Sequence, residues 1–145
     1  MEWRKSLPII GIFLFILLTS KGISEAQDLT FLDENDVGVH YYDRASIKKT
    51  AQGNLLVLII QFPTQAMVEA IQEISPNAKG LFSMWTLYEV DCRKKVYKIN
   101  KMFYLNKNNQ LIYDSTKEKR KYRPMDFRAI PQGTVADRMS QFICH

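Results

Sequence analysis

The 145-residue chain holds only two cysteines and two histidines. Neither cysteine lies in a CxxC spacing and no HxxxH occurs, so the common spacings of a structural zinc site are missing. No apolar run reaches the roughly 20 residues that a spanning helix needs. Internal repeats and low-complexity tracts are absent as well, which excludes solenoids and arrays. Six glycines and five prolines exclude collagen-like or linker composition. What is left is a chain of globular composition, 46% apolar, with the length of one domain.

The N-terminus reads MEWRKSLPIIGIFLFILLTSKGISEAQ. Arg4 and Lys5 precede an apolar stretch from Leu7 to Leu18, and Ser24-Glu25-Ala26 offers a small-x-small cleavage site. That order is a secretory signal, with cleavage expected after Ala26. The domain is then expected over residues 27–145, exported to the periplasm or secreted, with membrane contact only through the cleaved signal. No cysteine stands near the cleavage site, so a lipid anchor of the bacterial lipoprotein kind is not expected. Leu55 to Phe62 is too short to cross a bilayer and reads as a strand.

Export bears on Cys92 and Cys144, because disulfides persist outside the cytosol. One intramolecular bridge would close a loop of roughly 50 residues, which the loop-entropy relation values at about 4 kcal/mol as a ceiling. Two rival uses are open. Cys92, Cys144, His145 and His40 could recruit a metal, and Cys92 could act as a nucleophile beside His40. The first lacks ligand spacing and the second lacks a protease signature, so the compartment favours the bridge.

Charge is segregated. Residues 27–92 carry nine acidic against four basic groups, and residues 93–128 carry twelve basic against three acidic. Periodicity divides the domain mostly into strands. Val37, Val39 and Tyr41 alternate with Gly38, His40 and Tyr42, the period of a half-buried strand, which places His40 on the exposed side. Leu55 to Ile60 is continuously apolar and predicts a central strand covered on both faces. Met67, Ile71 and Ile74 recur at helical spacing and predict a helix over 66–74, ended before Ser75-Pro76. Leu81 to Cys92 and Val96 to Leu105 return to period two, and strict alternation puts Lys98 and Lys101 on opposite faces. Asn106-Lys107-Asn108-Asn109 is a hairpin turn leading into a strand at Gln110–Tyr113. The three strands predict an antiparallel meander.

After Pro131-Gln132-Gly133, Thr134 can cap a helix, with Asp137 three residues on. Val135, Met139, Phe142 and Ile143 fall on one side of it. A helix of about ten residues is marginal alone. The bridge from Cys144, after its last turn, to Cys92, at a strand end, would pin it to the sheet. The expected class is α+β: a curved antiparallel sheet of about six strands with a tethered C-terminal helix.

Four segments, VHYYDRASI (Val39–Ile47), WTLYEVDCRKKVYKI (Trp85–Ile99), FYLNKNNQLIYDS (Phe103–Ser115) and FRAIPQGTVADRMSQFIC (Phe127–Cys144), together resemble the surface-adhesin protein E family of exported bacterial proteins. The resemblance covers nearly the whole domain. It implies the same tethered sheet-and-helix fold and an exported binding role without catalytic machinery; the family's best-known member is an adhesin for extracellular-matrix and plasma proteins, to which haem binding is ascribed.

Arg93, Lys94, Lys95, Lys98 and Lys101, with Lys119, Arg120 and Lys121 of the stretch STKEKRKYR, are the candidate partner-binding residues. Brought together they would steer an acidic partner; apart, they keep the surface soluble and guard strand edges. The partner expected is a protein or an acidic envelope or extracellular ligand. Nucleic acid is not expected beyond the inner membrane, and no metal or cofactor is called for. Two alternatives stand beside this reading. One is a periplasmic small-ligand carrier, for haem for example, lined by Met84, Met102 and Tyr104. The other is a small enzyme using Glu89 and Asp91, which share a strand face about 7 Å apart.

Overall fold

A computed structural model describes residues 28–117 and 126–145. The expected signal peptide, residues 1–26, lies outside them. Six antiparallel strands follow one another in sequence order across a single curled sheet: β1 (Leu29–Asn35), β2 (Gly38–Lys49), β3 (Leu55–Pro63), β4 (Ser83–Asp91), β5 (Val96–Leu105) and β6 (Leu111–Asp114). A two-residue β7 (Arg128–Ala129) pairs with the start of β5. Helix α1 (Gln65–Ile74) fills the β3–β4 connection, and α2 (Val135–Ile143) ends the chain. The six-stranded antiparallel sheet, its meander and the tethered C-terminal helix are as the sequence predicts.

The apolar run of β3 lies third in the strand order. Its alternate residues Val57 and Ile59 are 0% and 3% exposed and face α2, packed with Leu32, Tyr42, Val90, Ala136, Met139 and Ile143. Ile60, on the opposite face, is 1% exposed. Burial of these side chains drives the docking of a helix too short to persist alone. The cap forms as its residues require: Thr134 Oγ1 accepts the Asp137 N–H at 3.2 Å, and Asp137 Oδ2 accepts the Gly133 N–H at 2.9 Å. Cys144 is the C-cap of α2 and joins Cys92, one residue beyond β4, in a disulfide with Cα atoms 5.5 Å apart. Phe142 remains 46% exposed but stacks on Tyr42 with centroids 5.8 Å apart.

Of the register shifts in the sheet, two set which side chains of β2 and β5 face where. Arg44 to Ile47 of β2 bulge opposite Val57, between the pairs Asp43–Leu58 and Lys48–Leu56. Ser46 closes the gap: its Oγ donates to the Asp43 carbonyl and accepts the Leu58 N–H at 2.9 Å. The second lies in β5, where Leu87 pairs with Lys101 and Tyr88 with Ile99, leaving Asn100 as an extra residue. Such a bulge shifts the alternation by one residue. Asn109 takes φ 58° in the β5–β6 turn, as asparagine tolerates.

One periodicity misleads. Helix α1 forms, capped by Thr64, but Ile74 is 87% exposed. The helix closes a surface connection, and Ser75, held before Pro76, takes extended angles and ends it one residue past Ile74.

Candidate functional site

The sheet has two unlike faces. Helix α2 packs on one. On the other, register aligns Phe31 with Tyr41, Tyr41 with Ile60, and Ile60 with Trp85. A ladder of rings runs across it: Phe31 on Tyr41 at 6.0 Å, Tyr41 on Phe62 at 6.0 Å and Phe62 on Phe82 at 5.6 Å, each edge to face. Edge-to-face contacts at these distances are favourable and hold rings rigidly. The ladder ends are open to solvent, Phe31 at 54% and Phe82 at 48%. Leu29, Leu111 and Phe127, also exposed, lie on or beside this face: Leu29 opposite Asp43, Leu111 opposite Leu105, Phe127 against Lys98. Five of the exposed large apolar side chains thus lie on or beside this face, while Val37, Ile74 and Phe142 are exposed elsewhere.

Among the described residues the basic candidates fall in two places, the β4–β5 turn and strand β5. Arg93, Lys94 and Lys95 form the β4–β5 turn, where Asp91 Oδ1 accepts the Arg93 and Lys94 N–H groups at 3.0 and 3.1 Å. Lys95 there takes φ 53°. Lys98 and Lys101 do not lie on opposite faces. The extra residue Asn100 brings both to the face away from α2, Lys98 opposite Glu89 and Lys101 opposite Leu87. Lys98 is engaged rather than free: its Nζ sits 3.0 Å from Glu89 Oε2 and 4.7 Å above the Phe127 ring. Lys119, Arg120 and Lys121 lie outside the described residues.

Glu89 is one half of the carboxylate pair considered for an enzyme. It is 8% exposed and fully engaged: Asn54 Nδ2 donates to Oε1 at 2.8 Å, and Asn100 Nδ2 to Oε2 at 3.0 Å beside Lys98. Burial alone would raise its pKa, but the hydrogen bonds from Asn54, Asn100 and Lys98, with the Lys98 charge, outweigh that and hold it below the ordinary carboxylate value. A depressed carboxylate suits a structural ion, not a proton donor. Its contribution to stability is present above the unfolded pKa and is lost as pH falls through the lower folded one. Glu89→Gln turns an amide NH2 or a neutral oxygen toward three donors, and is expected to lose roughly 2 kcal/mol at pH 7. Urea unfolding should show that deficit shrinking at pH 3; an unchanged deficit would mean that the charge is not what is lost.

The model of the surface-adhesin protein E family matches residues 29–145. The chain belongs to the surface-adhesin protein E family. No curated protein and no solved structure matches it at a significant level. Membership in this adhesin E family implies an exported, surface-adhesin-like protein with a non-enzymatic role. Among the described residues no helix is long and apolar enough to cross a membrane.

His40 and Cys92, the other side chains weighed for chemistry in this adhesin E domain, are buried and disulfide-bonded respectively. His40 is not on an exposed side: it is 4% exposed, on the α2-facing side of β2 opposite Gln61 and Asp33. That side is the interior in the curled sheet, so alternation with Val39 and Tyr41 indicates the wrong face. Burial lowers its pKa, partly offset by the charge and backbone hydrogen bond of Asp33 and by Gln61. It lies far in the fold from Cys92, whose sulfur is committed to Cys144. Among the described residues no three His, Cys, Asp or Glu side chains are grouped to hold a metal. Met84, Met102 and Tyr104 do share the α2-facing side, but Met84 is 7% exposed and Tyr104 stacks on Tyr113 at 4.6 Å, so Met84 and Tyr104 are committed to packing. The aromatic ladder escapes sequence reading because its rings come from four separate segments; only register brings them together.

Proposed function

We propose that this protein is an exported binding module that leaves the inner membrane after cleavage behind Ala26 and adheres to a protein partner through the sheet face opposite α2. The observation that carries this reading is the Phe31–Tyr41–Phe62–Phe82 ladder, whose outer rings stay about half exposed. Aromatic side chains held rigid on a surface lose little entropy on binding and dominate the energetics of protein interfaces. The β4–β5 turn residues Arg93, Lys94 and Lys95 lie at the sheet end, where charge sets the rate of encounter more than affinity. Family membership supports adhesion as the role.

The test is binding of the chain from Gln27 to an immobilised extracellular-matrix preparation. A Phe31→Ser, Phe82→Ser variant should weaken binding at least tenfold, the loss of two anchors worth more than about 1 kcal/mol each. Neutralising Arg93, Lys94 and Lys95 should mainly slow association and reduce its salt dependence. Equal binding by the ladder variant and the parent would overturn the reading.

A further inference from the structure

The face opposite α2 also carries a trough that the aromatic ladder does not account for. A cavity of about 420 Å³ is floored by Leu56, Leu58, Leu87 and Phe103, with Asp43, Ser46 and Lys48 at its rim. A second, of about 270 Å³, shares Phe103 and continues over Trp85, Leu105 and Leu111. Together they run from β2 to β6, four strand spacings or roughly 19 Å.

The chemistry of the lining selects the occupant. The strands beneath the floor hydrogen-bond to neighbours on both sides, so it offers aliphatic and aromatic surface but few polar partners. A ligand with a peptide backbone would lose hydration there without replacement bonds; a methylene chain loses nothing. Polar groups at the rim are mostly engaged. Ser46 bridges the bulge, and Asp43 Oδ1 accepts the N–H groups of Asp28 and Ala45 at 3.1 and 3.0 Å. Lys48 is the exception. It is exposed, lines the cavity beside Leu56, and among the described residues has no carboxylate within ion-pair distance. Lys101, opposite Leu87, adds a second positive charge to the same face, partly answered by Asp114. An apolar floor with a cation at one end is complementary to a long apolar tail ending in an anion.

We propose that this trough binds a free single-chain anionic amphiphile of the fatty-acid class, with its carboxylate at Lys48 and its tail laid over Leu58, Leu87 and Phe103 toward Trp85. The site is separate from the Phe31–Phe82 ladder, and the reading does not depend on adhesion to a protein.

Trp85 is the only tryptophan after Ala26, so its emission reports occupancy directly. Sodium laurate, kept below its micelle concentration, is titrated into the chain from Gln27. The expected result is a saturable change in Trp85 emission. Lys48→Glu, an exposed change that leaves the fold intact, should weaken laurate about tenfold while leaving uncharged dodecanol unaffected. The Phe31→Ser, Phe82→Ser variant should bind laurate like the parent, which separates this site from the adhesive one. Absence of a saturable response, equal laurate binding by the Lys48→Glu variant, or equal affinity for laurate and dodecanol overturns the proposal. So does a Trp85 response to phosphatidylglycerol vesicles in the absence of any to laurate, which would make the face a membrane-docking surface instead.

Discussion

Removing the Cys92–Cys144 bridge, by reductant or by a double Cys→Ser substitution, should lower the melting temperature by roughly 10 °C. The two residues are 52 positions apart, and the loop-entropy relation gives about 4 kcal/mol as the ceiling for a loop of that size. For a domain of this length a kilocalorie per mole moves the midpoint by about 3–6 °C, and part of the ceiling is offset by order retained in the unfolded chain. The location of the bridge argues for a second, local effect. It joins the end of β4 to the C-cap of α2, so the last turn loses its only covalent hold. Hydrogen exchange should therefore speed first at Phe142 and Ile143. Amides nearer Ala136 and Met139, whose side chains are buried on the sheet, should follow global unfolding. Coincident melts with and without reductant, with the thiols shown to be free, would remove the tether from any account of stability.

Features written in contiguous residues were legible in the sequence. The run Leu55–Ile60 gave a central strand because no polar residue interrupts it. Thr134 and Asp137 announced a helix start because capping is a local exchange of hydrogen bonds. Cys92 and Cys144 had only each other in a compartment that favours oxidation. What sequence could not show were consequences of register. The extra residue Asn100 moves Lys98 and Lys101 to one face, and no composition rule marks an asparagine in a strand as a bulge rather than a ladder residue. His40 reads as exposed under simple alternation, yet both faces of a curled sheet can be covered. The partner of Glu89 was equally hidden, since Asn54, Lys98 and Asn100 come from two further segments. The candidate surface was the least legible part, because Phe31, Tyr41, Phe62 and Phe82 meet only after three strand pairings and one connection are in place. Basic residues drew attention by their density along the chain; the aromatic face forms by density in space.

The core under α2 yields the other large effect. Met139 is fully buried at 0% exposure, in the cluster with Val57 and Val90, also at 0%, and Ile59 and Ile143. Met139→Ala removes a side chain from a site walled on one side by hydrogen-bonded strands, which cannot move inward to fill the space. The loss is expected to lie in the upper part of the about 2–5 kcal/mol seen when a large aliphatic side chain is truncated in a core, measured by urea unfolding with the disulfide intact. Met139→Leu, close in volume, should cost less than about 1.5 kcal/mol, which distinguishes lost packing from a need for sulfur. The bridge cannot compensate for the alanine variant. A tether restricts how far α2 can stray, but it does not supply the apolar contacts that make the docked position preferred. In the bridged Met139→Ala protein the helix should stay close to the sheet yet exchange its amides faster. In the bridge-free Met139→Leu protein it should remain docked. If Met139→Ala cost less than about 1 kcal/mol, the helix would be held mainly by its covalent end, and the packing described between α2 and β3 would not be what secures it.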